Sequence, residues 1–199
     1  AGFDWLTYMA PSMAIIFWMF TVSNCGKTLL AEREWGTLPR LLTTPTTTSQ
    51  VLGGKVCGIF VTGLAQMGIL LLASSLMLGV KYGPILAVAL VTVALVAAAT
   101  GWGLLLASYC RTAGQANQLG TILSLAFAGL AGNFFPRQAL PGWIRTASYV
   151  TPNAWGLEAF GKLTAGGTLS DVLVPIAGLL VMAVILFGAA TLLFRRQYA

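Results

Sequence analysis

Asp4, Glu32, Glu34, Glu158 and Asp171 are the only carboxylates in this 199-residue chain, and it has no histidine. General acid–base catalysis needs two such groups, or one with an imidazole, converging on a point. No pair of these acids sits at a spacing that a helix would bring together within an apolar run. Cys25, Cys57 and Cys110 match no zinc-binding spacing and read as small apolar helix residues. The nearest thing to a phosphate loop is SQVLGGK. There Ser49 stands in place of the first glycine of G-x-x-x-x-G-K-[ST], and Val56 in place of the final hydroxyl. No catalytic residue, no metal site and no ATP site is therefore assigned. The chemistry left is that of recognition, in a polar segment, EREWGTLPRLLTTPTTTSQ, which interrupts an otherwise apolar chain.

The elements around that segment follow from charge spacing. Mean hydropathy is +0.84, with 57% hydrophobic and 8% charged residues, values of a polytopic membrane protein. Cutting at charged residues leaves five long charge-free runs, 5–26, 56–80, 82–110, 112–136 and 172–194. A hydrocarbon core of about 30 Å takes about 20 apolar residues as helix. The expected fold is all-α and polytopic, a single transmembrane domain with five spans at about 5–28, 52–79, 84–110, 113–135 and 172–194. The first run lacks a basic leader and a small-residue cleavage pattern, so it reads as a span and not a secretory signal. All five acids fall outside the charge-free runs, which argues against ion-coupled transport.

With the N-terminus outside, seven basic residues (Lys27, Arg33, Arg40, Lys55, Arg111, Arg195, Arg196) are cytoplasmic and four (Lys81, Arg137, Arg145, Lys162) are external. The positive-inside bias favours that orientation. The net charge of +6 then answers to anionic lipid and calls for no nucleic acid. Residues 32–48 become an inner loop. Trp35, Leu38, Leu41 and Leu42 form an apolar stripe there, with Glu34, Thr37 and Arg40 turned away. Pro39 places the start of a short helix near Thr37, and Pro45 marks its end. Its polar face lacks the Lys and Arg of an interfacial helix, which favours docking on a protein.

Residues 136–170 become an outer interfacial segment, broken by prolines. Phe134, Phe135, Trp143, Tyr149, Trp155 and Phe160 suit a headgroup belt. Thr151 as N-cap and Pro152 at the first helical position, followed by Asn153, open a short outer-leaflet helix. Phe134, Phe135, Trp143, Thr151, Pro152, Asn153 and Trp155 are the candidate outer gate or interfacial residues.

EREWGTLPRLLTTP followed by GGK resembles the signature of the ABC-2 type permease family: an E-x-x-x-G-T segment, a Leu pair, a Pro, then Gly-Lys entering the next span. Glu32, Gly36, Thr37, Leu41, Leu42, Pro45, Gly54 and Lys55 carry the match, and TPNAWGLEAF resembles the family's outer segment before its last span. Pro39 departs from the helix-favouring residue of many relatives. The resemblance implies the permease subunit of an ATP-driven exporter, moving a drug, lipid, glycolipid or peptide out of the cytoplasm. Residues 32–48 would be the coupling helix on a separate nucleotide-binding ATPase subunit, with Glu32, Arg33, Glu34, Trp35, Gly36, Thr37, Leu38, Arg40, Leu41, Leu42 and Pro45 as coupling residues. ATP and Mg would sit on that partner, with no cofactor in this chain.

It further implies that the five spans are the last five of six. An upstream span and a possible extracellular domain would then be missing from a chain that starts at Ala1. A second permease copy, identical or related, and membrane lipid are the other expected partners, in a bacterial or archaeal inner membrane. Gly54 and Gly58, with Ala10 and Ala14, are expected at the contact between copies. A non-transporting membrane scaffold or assembly subunit is the alternative.

Overall fold

Lipid offers backbone amides and carbonyls no partner, so each apolar run must satisfy its own as helix. The computed structural model describes residues 5–34 and 48–198, and no strand occurs among the described residues. In chain order the helices are α1 (Trp5–Glu34), α2 (Thr48–Leu78), α3 (Ile85–Tyr109), α4 (Ala113–Ala131), α5 (Gly142–Ala147), α6 (Pro152–Thr164) and α7 (Leu169–Tyr198). Two 3-10 turns, Arg137–Ala139 and Ser148–Val150, flank α5.

Among the described residues four stretches, Trp5–Ser23, Gly53–Leu78, Ile85–Tyr109 and Leu169–Leu193, are long and apolar enough to cross a membrane. The fifth expected run forms α4, 19 residues and so about 28 Å long at 1.5 Å per residue. Gln115, Asn117 and Gln118 in its first two turns keep it out of that group. The chain is an all-α polytopic membrane protein.

The centre of the bundle is α3, 56% of whose span is buried against 17% for α2 at the edge. It packs most extensively on α7 and also touches α1, α2 and α6, while α1 lies along α4. Trp18, Leu95, Val96, Phe160 and Leu179 are fully buried in the shared core. Between lipid-embedded helices the gain comes from close packing, so small residues mark the crossings. A Cβ on Gly63 would fall 2.3 Å from the Trp18 ring, and one on Gly103 2.2 Å from Val22 Cγ1.

Local chemistry ends the helices. Thr112 caps α4 by accepting from the Gln115 amide at 3.1 Å. At the other end Gly132 takes a left-handed φ of 83°, and the Asn133 amide bonds back to the Ala128 carbonyl at 2.9 Å in a Schellman-type close. For α6, Thr151 accepts from the Ala154 amide at 3.3 Å with Pro152 at the start of the helix.

Candidate functional site

The short helix α6 does not lie on the surface of the bundle. It packs on α1, α3, α4 and α7, burying Asn153, Ala154, Leu157, Phe160 and Leu163. Gly156 admits this, since a Cβ there would meet Leu95 and Ile15 at 3.0–3.1 Å. One end of the bundle is thereby closed by a wedge of chain, and the seam is polar.

Buried polar groups call for partners, and here most find them across four segments, Asn153 Oδ1 being left without one. The Ser12 hydroxyl on α1 donates to the Asn133 carbonyl at 2.6 Å, and the Asn133 side-chain amide donates back to the Ser12 carbonyl at 3.0 Å. The Asn153 amide on α6 donates to Asn133 Oδ1 at 3.3 Å. Beside them Arg137 is almost completely buried. It donates to the Ala154 carbonyl and to Ser148 Oγ at 3.3 Å, and its guanidinium lies 4.8 Å from the Tyr149 ring centroid.

Charge balance comes from Glu158. Its carboxylate stands 3.8 Å from Arg137 Nη1 and 2.9 Å from Lys162 Nζ, and accepts from the Tyr149 hydroxyl. Partial burial pushes the Glu158 pKa up. The Tyr149 hydroxyl, Lys162 and Arg137 pull it down further, so the group is held below the usual carboxylate range. Burial together with the neighbouring carboxylate raises Tyr149. Trp155 lies 4.6 Å from Tyr149, ring centre to ring centre, at a tilt of 55°, and donates to its carbonyl at 2.7 Å. The cluster positions structure; it offers no nucleophile with an adjacent base.

The candidate outer residues divide into two sets. Phe135 and Trp143 are 66% and 75% exposed and Phe134 is also exposed. Thr151, Pro152 and Asn153 are buried in the seam, and Trp155 is half-buried. Sequence reasoning gave no role to Ser12, Asn133, Ser148 or Glu158 here, and counted Arg137 only as an external charge. Opposite charges within one aromatic, proline-broken segment, Arg137 and Glu158, were the available signal.

The coupling residues Trp35, Gly36, Thr37, Leu38, Arg40, Leu41, Leu42 and Pro45 lie outside the described residues. Glu32, Arg33 and Glu34 fall in the last turn of α1, with their side chains likewise outside. Of the residues expected between copies, Ala14 is buried and Ala10 is partly buried against the same core. A side chain at Gly54 or Gly58 would meet nothing within 4 Å.

Polar groups also occur along the spans. Between α1 and α2 a cleft of about 570 Å³ is lined by Phe17, Phe20, Thr21 and Gln66 among others, with the Thr21 hydroxyl donating to Gln66 Oε1 at 2.8 Å. On α4, Gln115, Gln118 and Thr121 are exposed. Ser23 on α1 and Ser124 on α4 join those helices by a buried hydroxyl pair at 2.9 Å.

The family model described as ABC-2 family transporter protein matches residues 4–192. The chain is 29% identical over 181 residues to the linearmycin resistance permease protein LnrN of Bacillus subtilis, an overlap covering 90% of this chain and 47% of LnrN. It is 27% identical to YbhS of Escherichia coli, described as Probable multidrug ABC transporter permease, over 89% of this chain and 48% of YbhS. YbhR of Escherichia coli, with the same description, is 26% identical over 98% of this chain and 54% of its own length. The chain spans about half the length of these relatives. With a match that covers α1 to α4 and most of α7, the chain belongs to the ABC-2 family of transporter proteins.

Proposed function

We propose that the chain is the membrane-spanning part of a permease subunit in an ATP-driven exporter. Its substrate is hydrophobic or amphipathic, and a separate nucleotide-binding subunit supplies the ATP and Mg. The observation that carries the reading is the polar lining within the bundle's membrane length. Thr21 and Gln66 face a cleft between α1 and α2, each within a stretch long and apolar enough to cross a membrane. Amides turned toward hydrocarbon are costly, whereas the same groups beside a partly wet pathway can hold a substrate's polar end while Phe17, Phe20 and Leu70 take its apolar body.

Walls on every side of such a pathway come from a second copy or a related chain, most simply through a twofold axis. Residues 32–48 transmit ATPase motion to α1 and α2, which they join. The buried seam of α6 keeps the far end of the bundle rigid. The names of LnrN and of the two multidrug permeases support an antibiotic- or drug-like substrate, handled in the cell membrane.

The test is resistance. The full-length protein, expressed with its nucleotide-binding partner in an exporter-deficient strain, should raise the inhibitory concentration of at least one amphipathic antibiotic. A Walker-lysine variant of the ATPase should abolish the gain. A normally inserted complex that shifts no compound in a broad panel would refute export of this class.

A further inference from the structure

The groove between α2 and α3 is separate from the α1–α2 cleft and from the polar seam. Gly63 seats against Trp18 and Val96, pinning α2 to the bundle at that level. Beyond it, toward the turn at residues 79–84, α2 and α3 leave a groove of about 420 Å³. Leu64, Leu72, Ile85, Val88 and Val93 supply its walls. Residues 64 to 75, which follow the groove along α2, span about 16 Å at 1.5 Å per residue. Leu72 and Ile85 are 62% and 84% exposed, so the groove opens sideways on two helices apolar enough to cross the membrane.

Gly68 lines the groove, and a side chain there would meet nothing within 4 Å. The space is therefore not needed for packing within the chain. Thr92, farther along the lining, spends its hydroxyl on the Val88 carbonyl of its own helix at 2.8 Å, and the remaining polar side chains of the lining lie at the end near the turn. There Ser75 and Tyr82 line the groove, with the Tyr82 hydroxyl engaged to Ser74 Oγ at 2.7 Å. Lys81, exposed and one residue from Tyr82, has no ion pair among the described residues. Val80 and Tyr82 are buried on either side of it, and Tyr82 and Gly83, which follow it in the chain, line the groove's end, so the backbone of Lys81 is anchored beside that end.

An apolar slot open to the bilayer, with an exposed lysine next in the chain to the residues that line its polar end, has the chemistry of a lipid site: hydrocarbon in the slot, a phosphodiester at the lysine. The geometry points to the α2–α3 groove as a binding site for one acyl chain of an anionic phospholipid, its headgroup phosphate held by Lys81. The site depends on insertion in a bilayer and not on the export reading, so either can fail alone.

Full-length protein in nanodiscs containing phosphatidylglycerol with a photoreactive acyl chain tests it, the adducts being mapped by peptide mass spectrometry. Labelling should concentrate on peptides covering residues 64–75 and 82–93 and be competed better by unlabelled phosphatidylglycerol than by phosphatidylcholine. Gly68→Phe, which fills open space, should remove the groove adducts while the protein still elutes as a single species. Lys81→Gln should weaken the phosphatidylglycerol preference by about fivefold, the worth of one basic residue near a charged lipid surface. Adducts spread equally over the exposed faces of α7, or groove adducts undiminished in Gly68→Phe, would mean annular lipid only and overturn the site. An unchanged headgroup preference in Lys81→Gln would overturn the role of the lysine.

Discussion

Replacing Arg137 by Met keeps an unbranched apolar stem of similar reach and removes only the guanidinium. Two hydrogen bonds from a charged donor are lost, to the Ala154 carbonyl and to Ser148 Oγ, each worth about 1.5–3 kcal/mol when one partner is charged. The contact with the Tyr149 ring adds about 0.5–1 kcal/mol. The Glu158 contact is long at 3.8 Å and that carboxylate keeps Lys162, so it contributes little. Since the methionine recovers some packing, the expected loss is about 3–5 kcal/mol, as for breaking a buried charged cluster. At about 2–4 °C per kcal/mol for a chain of this size, the unfolding midpoint should fall by at least about 6 °C. Tryptophan fluorescence of the full-length protein in one detergent reads it. Arg145→Met, at an exposed position on α5, is the control and should stay within about 0.5 kcal/mol of the parent. If the two variants melt together, the polar seam does not hold α6 in place.

Leu41→Asp with Leu42→Asp should leave the protein inserted but unable to retain its ATPase in a pull-down, because each buried leucine is worth about 1.5–3 kcal/mol; normal retention would remove residues 32–48 from the docking surface. Gly103→Val should abolish the monodisperse folded species, since a Cβ there meets Val22 Cγ1 at 2.2 Å and the Val22 carbonyl oxygen at 3.2 Å. Gly58→Ala, with nothing within 4 Å, should melt at or above the parent. Because the Glu158 pKa is lowered on folding, its stabilisation is present above the ordinary carboxylate value of about 4.3 and is lost as pH falls through the lowered pKa. Glu158→Gln should therefore melt below the parent at pH 7, with the gap closing under acid, and a gap independent of pH would disprove the charge contribution.

The spans were legible because lipid leaves the backbone no alternative: a charge-free run such as 82–110 must be helix, and it is α3. Caps were legible too, as Thr151 followed by Pro152 shows. What single residues could not reveal was pairing over distance. Ser12 and Asn133 exchange two hydrogen bonds though far apart in the chain, and nothing local to either announces the other. Composition also misled on depth, because an aromatic, proline-rich segment suits a headgroup belt and a wedge equally well. Phe160 and Asn153 went fully inside, while Trp143 stayed out. Glycines divided likewise: Gly103 is a helix crossing, Gly58 faces open space, and sequence alone presents both as small residues in a span.

Central to the account is ATP-driven export by a complex that contains this chain, and reconstitution tests it most directly. The full-length permease and its ATPase, placed in proteoliposomes with nucleotide sites outward, should concentrate a fluorescent amphipathic antibiotic in the lumen when ATP and Mg are added. A catalytically dead ATPase should leave the lumen at equilibrium. ATP hydrolysis without accumulation of any such compound, or accumulation indifferent to ATP, would contradict it.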